Sequence, residues 1–144
     1  MCTVREILSH KNPGVATIGP RESALDAAVA MNQQKVGSLM VLDGDRVVGI
    51  ITERDLLQRV LAEQRDAAKT SVEDVMTTEI LCCQLHTTID EARSVMKNRR
   101  VRHLPVVDDE GLHGVISIGD LNAYEAHSQE VTIHVMTEYI HGRA

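Results

Sequence analysis

The sequence predicts an α+β fold of two β-α-β-β-α repeats packed about a pseudo-twofold axis. Three observations carry that expectation. The 144-residue chain aligns with itself after a shift of 65 residues, laying 36–56 over 101–121 without a gap. Identities run through the register at Ala27/Ala92, Met31/Met96, Val36/Val101, Leu39/Leu104, Val41/Val106, Asp43/Asp108, Gly49/Gly114, Ile51/Ile116, Asp55/Asp120 and Leu56/Leu121. Each copy also carries the same succession of helical and strand-like stretches separated by turn residues. Finally, a half of roughly 65 residues buries too little surface to be stable alone, so the two must depend on each other. Any pocket between duplicated units then comes as a related pair.

A short helix opens the chain, with Thr3 as N-cap and Ile7 and Leu8 apolar, and Asn12-Pro13-Gly14 ends it. A short strand follows at 15–18. Ser23-Ala24-Leu25-Asp26 resembles a capping box with Asp in place of Glu and starts a helix that runs to about Lys35. Apolar strands at 38–42 and 47–52 flank Asp43-Gly44-Asp45-Arg46, which is good hairpin chemistry. A second helix covers 53–64. The polar stretch 65–70 is the natural boundary, and the pattern then returns. A helix starts at Ser71, a strand lies near 80–82, and a helix runs from Thr88 to about Arg100. Hairpin strands at 103–107 and 112–117 enclose Asp108-Asp109-Glu110-Gly111, and another helix follows. Each repeat has a helical lead-in, at 4–8 and at 72–76. The division is therefore 1–66 for the first repeat with its lead-in, 67–128 for the second, and 129–144 for a C-terminal helix. That last helix carries Val131, Val135 and Ile140 for packing on the pair or on a partner chain.

The net charge of −6 speaks against general attraction to nucleic acid or an anionic membrane. No apolar run approaches a bilayer span, and the first residues lack a signal-peptide core. Phe and Trp are absent and the tyrosines are Tyr124 and Tyr139 alone. The core must be aliphatic, and any bound base is gripped by aliphatic walls rather than by the aromatic faces of a single-strand platform. Three cysteines, two of them adjacent, form neither a disulfide framework nor a zinc spacing, which points to a reducing cytoplasm. His127, His134 and His141 recur every seven residues, too far apart for an i, i+4 ligand pair, so no metal is expected. Cys83 reads as a buried strand residue and the methionines as core filler.

Thr52 and Ser117 stand where a strand gives way to a helix. Free backbone N–H groups and the helix dipole favour an anion there, and the hydroxyl adds a donor. Asp55 and Asp120 follow three residues on. A carboxylate repels phosphate, so it suits the paired hydroxyls of a ribose. The same Thr-x-x-Asp and Ser-x-x-Asp spacing is also a capping box, stabilising by about 0.5–2 kcal/mol with no ligand. Both readings stand, and one hydroxyl can serve both. Lys97, Arg99 and Arg100 complement a helix C-terminus; Arg102 and His103 either do the same or reach a phosphate.

The order of elements, with Gly49-Ile50-Ile51-Thr52-Glu53-Arg54-Asp55 and Gly114-Val115-Ile116-Ser117-Ile118-Gly119-Asp120, resembles a tandem pair of cystathionine-β-synthase (CBS) domains, a Bateman module of the stand-alone bacterial type. The runs Val36-Gly37-Ser38-Leu39-Met40-Val41 and Arg102-His103-Leu104-Pro105-Val106-Val107 match the family's central strand, and Asp74-Val75-Met76-Thr77 its usual lead-in. In the second motif Ile118 and Gly119 replace Glu53 and Arg54, a departure that bears on affinity. The resemblance covers nearly the whole chain. It implies a nucleotide-binding regulatory module that holds AMP, ADP, ATP, NAD(H) or S-adenosylmethionine in the cleft between repeats. It further implies that backbone groups of Ile18, Val36 and Gly37, and of Cys83, Val101 and Arg102, hold the purine edge, with Ser38, His103, Leu104 and Pro105 beside them. A homodimer and an unknown regulated protein are the implied partners, with no nucleic acid and no membrane.

Two other functions compete. An enzyme is not expected, because the chain has no Gly-x-Gly-x-x-Gly, Walker loop, His-Glu-x-x-His or nucleophile–base constellation. A ligand-independent interaction scaffold leaves Thr52 and Ser117 as simple caps.

Overall fold

A computed structural model describes residues 2–11 and 14–128 of the chain. The expected helix at 129–144, and the side chains of the seven-residue histidine series, lie outside the described residues. The fold is α+β and each half is built from small sheets and short helices, as the repeat pattern requires. Two compact units result, one from the run 13–81 and the other from 1–12 together with 82–144. They do not follow the linear division at 66/67, because each lead-in docks on the other repeat.

In the first of these units, β1 (Thr17–Ile18) pairs parallel with β2 (Ser38–Asp43), and β2 pairs antiparallel with β3 (Arg46–Thr52). Central β2 is buried on both faces: Leu39, Met40 and Val41 are fully enclosed, which explains the unbroken apolar run. Helix α2 (Ala24–Gln34) starts at Ser23, which forms a reciprocal capping box with Asp26. It turns Ala24, Ala27 and Met31 to the core at helical spacing. The hairpin turn is Gly44-Asp45, with Gly44 at φ 65, a left-handed geometry that glycine takes without a steric penalty. After β3, α3 (Glu53–Asp55) passes into a π-helical stretch, Leu56–Leu61, where the sequence predicts one continuous α-helix. Wide-turn bonds such as Arg65 N–H to Val60 O carry it. The lead-in α4 (Val72–Val75) closes the unit through Val72 N–H to Glu22 O and Ala24 N–H to Thr70 O, each 2.8 Å.

The second unit repeats this plan with substitutions. Helix α5 (Ile89–Arg99), boxed by Thr88 and Glu91, buries Ile89, Ala92 and Met96 at the spacing of α2. The antiparallel pair β4 (His103–Asp108) and β5 (Gly111–Ser117) is followed by α6 (Ile118–Ser128). Here α1 (Val4–Ser9) occupies the place that α4 holds in its unit: Val4 N–H donates to Thr87 O at 2.8 Å and Ile89 N–H to Cys2 O at 3.1 Å. Thr3 is the N-cap of α1, although its side chain makes no capping bond.

The strand expected near 80–82 does not form. Pairing shrinks to a single parallel bridge between Cys83 and Val106. The cause is Pro105. In the other unit Met40 N–H donates to Ala16 O at 2.9 Å. Shifted by 65, that donor becomes the proline nitrogen, which carries no hydrogen. What survives is Cys83 N–H to Pro105 O and Val107 N–H to Cys83 O, both 2.9 Å. Among the described residues no helix is long and apolar enough to cross a membrane.

Candidate functional site

The two strand-to-helix corners expected from sequence both exist, one in each unit, and they differ in what already occupies them. At the first corner the box is reciprocal. Asp55 N–H donates to Thr52 Oγ1 at 3.2 Å, and Asp55 Oδ2 accepts from Thr52 N–H at 2.9 Å. Asp55 is then closed off from above. Thr77, just past α4, donates its hydroxyl to Asp55 Oδ1 at 3.0 Å, and Arg59 Nε stands 3.8 Å from the same oxygen. Arg59 also donates to the carbonyls of Val75 and Met76, at 3.3 and 2.9 Å, tying the end of α4 to this corner. The Asp55 side chain is only 7% exposed. Its oxygens are spent on the fold.

At the second corner Asp120 N–H donates to Ser117 Oγ at 3.1 Å, while Asp120 Oδ2 accepts from Ser117 N–H at 2.8 Å. The further partner is a lysine from another part of the unit: Lys11 Nζ lies 2.8 Å from Asp120 Oδ2 and donates to Val115 O at 2.6 Å. The Asp120 side chain is 24% exposed. It lines a cavity of about 290 Å³ with Ile7, His10, Lys11, Ala123 and Tyr124. The Tyr124 hydroxyl meets Cys2 Sγ and Glu6, and the Cys2 bond is the main cause of its pKa being pushed up to about 12.

The other expected residues divide between the units. Ile18 and Ser38 are buried in the sheet, while Val36 is exposed. Gly37 offers its carbonyl to Glu53 N–H at 3.0 Å, and Arg102, its repeat counterpart, does the same for Ile118 N–H at 2.8 Å. Val101 N–H is spent on Met96 O. Cys83, Leu104 and Pro105 have buried side chains, so they build the floor of the second unit rather than present functional groups. Burial, helped by the neighbouring Cys82, pushes the Cys83 thiol up to about 11. Arg102 is exposed, and His103 pairs in register with Ser117, next to the open corner.

Lys11 and Thr77 escaped sequence reasoning. The signal that could have found Thr77 is the lead-in motif Asp74-Val75-Met76-Thr77, which it ends. Lys11 has no local signal, because its partner Asp120 lies across the length of the chain. A shallow depression of about 800 Å³ also runs between α2 and the π-helical stretch, with Val36, Gly37, Leu57 and Leu61 on its lining. Leu57 and Leu61 are 58% and 70% exposed, an unusually apolar surface for a helix. As for metals, Asp108, Glu110 and His113 bring ligand atoms within 4.8 Å of one another on the exposed second hairpin. His113 Nε2 is already bonded to Asp108 Oδ2 at 2.7 Å.

Comparison with known proteins recovers the two repeats as successive segments of the sequence. The family model for the CBS domain matches twice, over residues 4–62 and 72–127. The mitochondrial CBS domain-containing protein CBSX3 of Arabidopsis thaliana is 33% identical over 126 residues, which is 84% of this chain but only 61% of that protein. The CBS domain-containing protein YhcV of Bacillus subtilis is 33% identical over 121 residues and 84% of each chain. Among solved structures, a protein with CBS domains from Burkholderia ambifaria superposes with a TM-score of 0.85 at 36% identity, covering 88% of this chain and 96% of that one. No enzyme family is indicated by these matches.

Proposed function

The chain belongs to the CBS domain family as a tandem pair, and from that premise we propose that it is a non-catalytic regulatory module binding an adenine nucleotide (AMP, ADP, ATP or NAD(H)). Occupancy alters its conformation or its contact with a partner protein. The observation that carries this reading is the Ser117–Asp120 corner, a partly exposed carboxylate at the start of α6 beside a cavity. The carboxylate suits vicinal ribose hydroxyls, and the helix start suits a phosphate. A ligand that binds one conformation better than another shifts the balance between them, which is all a sensor requires.

Homodimerisation fits the apolar surface of Leu57 and Leu61, and three free thiols suit a reducing cytoplasm. Asp108, Glu110 and His113 play no part in this reading.

The experiment is thermal unfolding with AMP, ADP, ATP or NADH at millimolar concentration, on the wild-type chain and on Asp120→Ala. Ligand at a hundred times its Kd adds about 2.7 kcal/mol of apparent stability. The midpoint is expected to rise for at least one nucleotide, and Asp120→Ala should lose that rise. A flat response to all four removes the sensor reading. The alternative, a ligand-independent interaction scaffold, is favoured by the closed Asp55 corner. It predicts self-association or partner capture with no nucleotide dependence.

A further inference from the structure

The two units solve one problem in different ways. In each, a strand-end carbonyl and a corner carboxylate need donors from the lead-in. In the 13–81 unit Thr77 supplies both, its N–H to Ile50 O at 2.8 Å and its hydroxyl to Asp55 Oδ1 at 3.0 Å. In the other unit the equivalent acceptors are Val115 O and Asp120. The lead-ins align through their glycine contacts, with Met76 against Gly49 and Leu8 against Gly114. Ser9 therefore stands where Thr77 stands, but its hydroxyl turns back to Glu6 O at 2.6 Å. The single ammonium of Lys11 takes over both bonds, at 2.6 Å to Val115 O and 2.8 Å to Asp120 Oδ2. The reinforcement by Arg59 is missing as well, because the shift of 65 puts Tyr124 in its place.

A backbone amide with a part-buried hydroxyl on a short side chain is a fixed closure. An ammonium on a flexible stem, its side chain 38% exposed, is a releasable one. We infer that Lys11 is a ligand-displaced latch on Asp120, which confines nucleotide binding to the second corner. Without ligand the ammonium satisfies the carboxylate. A ribose brings two hydroxyl donors of its own and displaces it, and the freed ammonium neutralises a phosphate of the same ligand. The adjoining cavity gives the lysine stem room to swing. Asp55 takes no part, since Thr77 and Arg59 already hold it. The inference rests on the adenine-nucleotide reading and adds to it which corner is used and what controls entry.

The test is isothermal titration of the full chain with AMP and with adenosine, comparing wild type, Lys11→Met and Lys11→Gln, with circular dichroism to verify folding. Met keeps the aliphatic stem and Gln keeps a polar tip, so a folding fault in one is controlled by the other. Wild type is expected to bind one AMP per chain and to prefer it to adenosine. Both variants should bind adenosine more tightly, because the latch is gone, and should lose roughly tenfold of the AMP-over-adenosine preference, as befits a lost charged hydrogen bond. Binding with an unchanged preference in both variants, or two equivalent sites per chain, overturns the latch and leaves the nucleotide reading intact. No binding of either probe by any of the three proteins overturns the latch, and the nucleotide reading falls with it only when ADP, ATP and NADH also leave the thermal midpoint unmoved.

Discussion

The docking of the lead-ins can be tested with one methyl group placed at two equivalent positions. In Gly49→Ala the new Cβ falls 2.6 Å from Met76 Sδ and 2.9 Å from the backbone oxygen of Thr77. The thioether can swing aside. The carbonyl cannot, because it accepts from Ile50 N–H at 2.9 Å in a two-bond bridge whose other arm, Thr77 N–H to Ile50 O, is 2.8 Å. Relief requires a retreat of roughly 0.5 Å, which stretches both bonds. Overpacking costs about 1–3 kcal/mol and each of the two weakened hydrogen bonds about 0.5–1.5 kcal/mol, for a total of about 2–6 kcal/mol. For a chain of this length that lowers the midpoint by about 6–18 °C. In Gly114→Ala the nearest atom, at 2.8 Å, is Leu8 Cδ2, the far end of a flexible side chain, and the next two, at 3.6 and 3.8 Å, belong to the same side chain. That strain is relieved by rotation, and Gly→Ala recovers about 0.4–1 kcal/mol from the unfolded chain. Its stability should stay within about 1 kcal/mol of wild type. Urea and thermal unfolding followed by far-ultraviolet circular dichroism measures both. Equal losses, or a Gly49→Ala protein as stable as wild type, refute the lead-in geometry.

Two further predictions concern titration. Burial raises both Cys82 and Cys83, the latter to about 11. At pH 9 the folded protein should therefore alkylate far more slowly at Cys83 than the urea-unfolded protein does, as mapped by peptide mass spectrometry. Stability tied to Cys83 is complete below the unfolded thiol value of about 8.5 and declines as pH rises towards its folded value. A Cys83 that reacts equally fast in both states contradicts this packing. On the second hairpin the bond from His113 holds the Asp108 carboxyl below the ordinary carboxylate range. Its stabilisation is present above the unfolded value of about 3.9 and disappears as pH falls through the lower folded value. His113→Ala should return the Asp108 titration, read by carboxyl carbon NMR, towards its ordinary position; an unmoved titration excludes the pairing.

Local chemistry made much of this molecule readable in advance. The hairpins fall within a residue or so of their expected limits, because Gly44 and Gly111 supply left-handed turn geometry and the flanking runs are apolar. The boxes at Ser23, Thr52 and Thr88 are encoded within four residues. What escaped depends on partners far away in sequence. Both lead-ins carry the same apolar spacing, Val4/Ile7/Leu8 and Val72/Val75/Met76, so nothing local says on which repeat each docks. The missing strand at 80–82 needed the knowledge that Pro105 would sit opposite residue 81. The π-helical stretch has ordinary helix-forming residues. At the corners, Thr-x-x-Asp and Ser-x-x-Asp look alike, and it takes distant Thr77 and Lys11, with Arg59 one turn past Asp55, to make one closed and the other accessible.

The exchange of lead-ins also sets a timetable for biosynthesis. Residues 13–81 hold their whole unit in one uninterrupted run, so its internal contacts can begin to form while the ribosome is still extending the chain, although a unit of this size needs its neighbour for full stability. The other is assembled from both margins. Val4 and Ile7 emerge before that run, yet the surface that shelters them is translated after it. Nascent chains stalled near residue 81 should therefore display an orphaned amphipathic helix beside a partly ordered neighbour, an attractive target for chaperones.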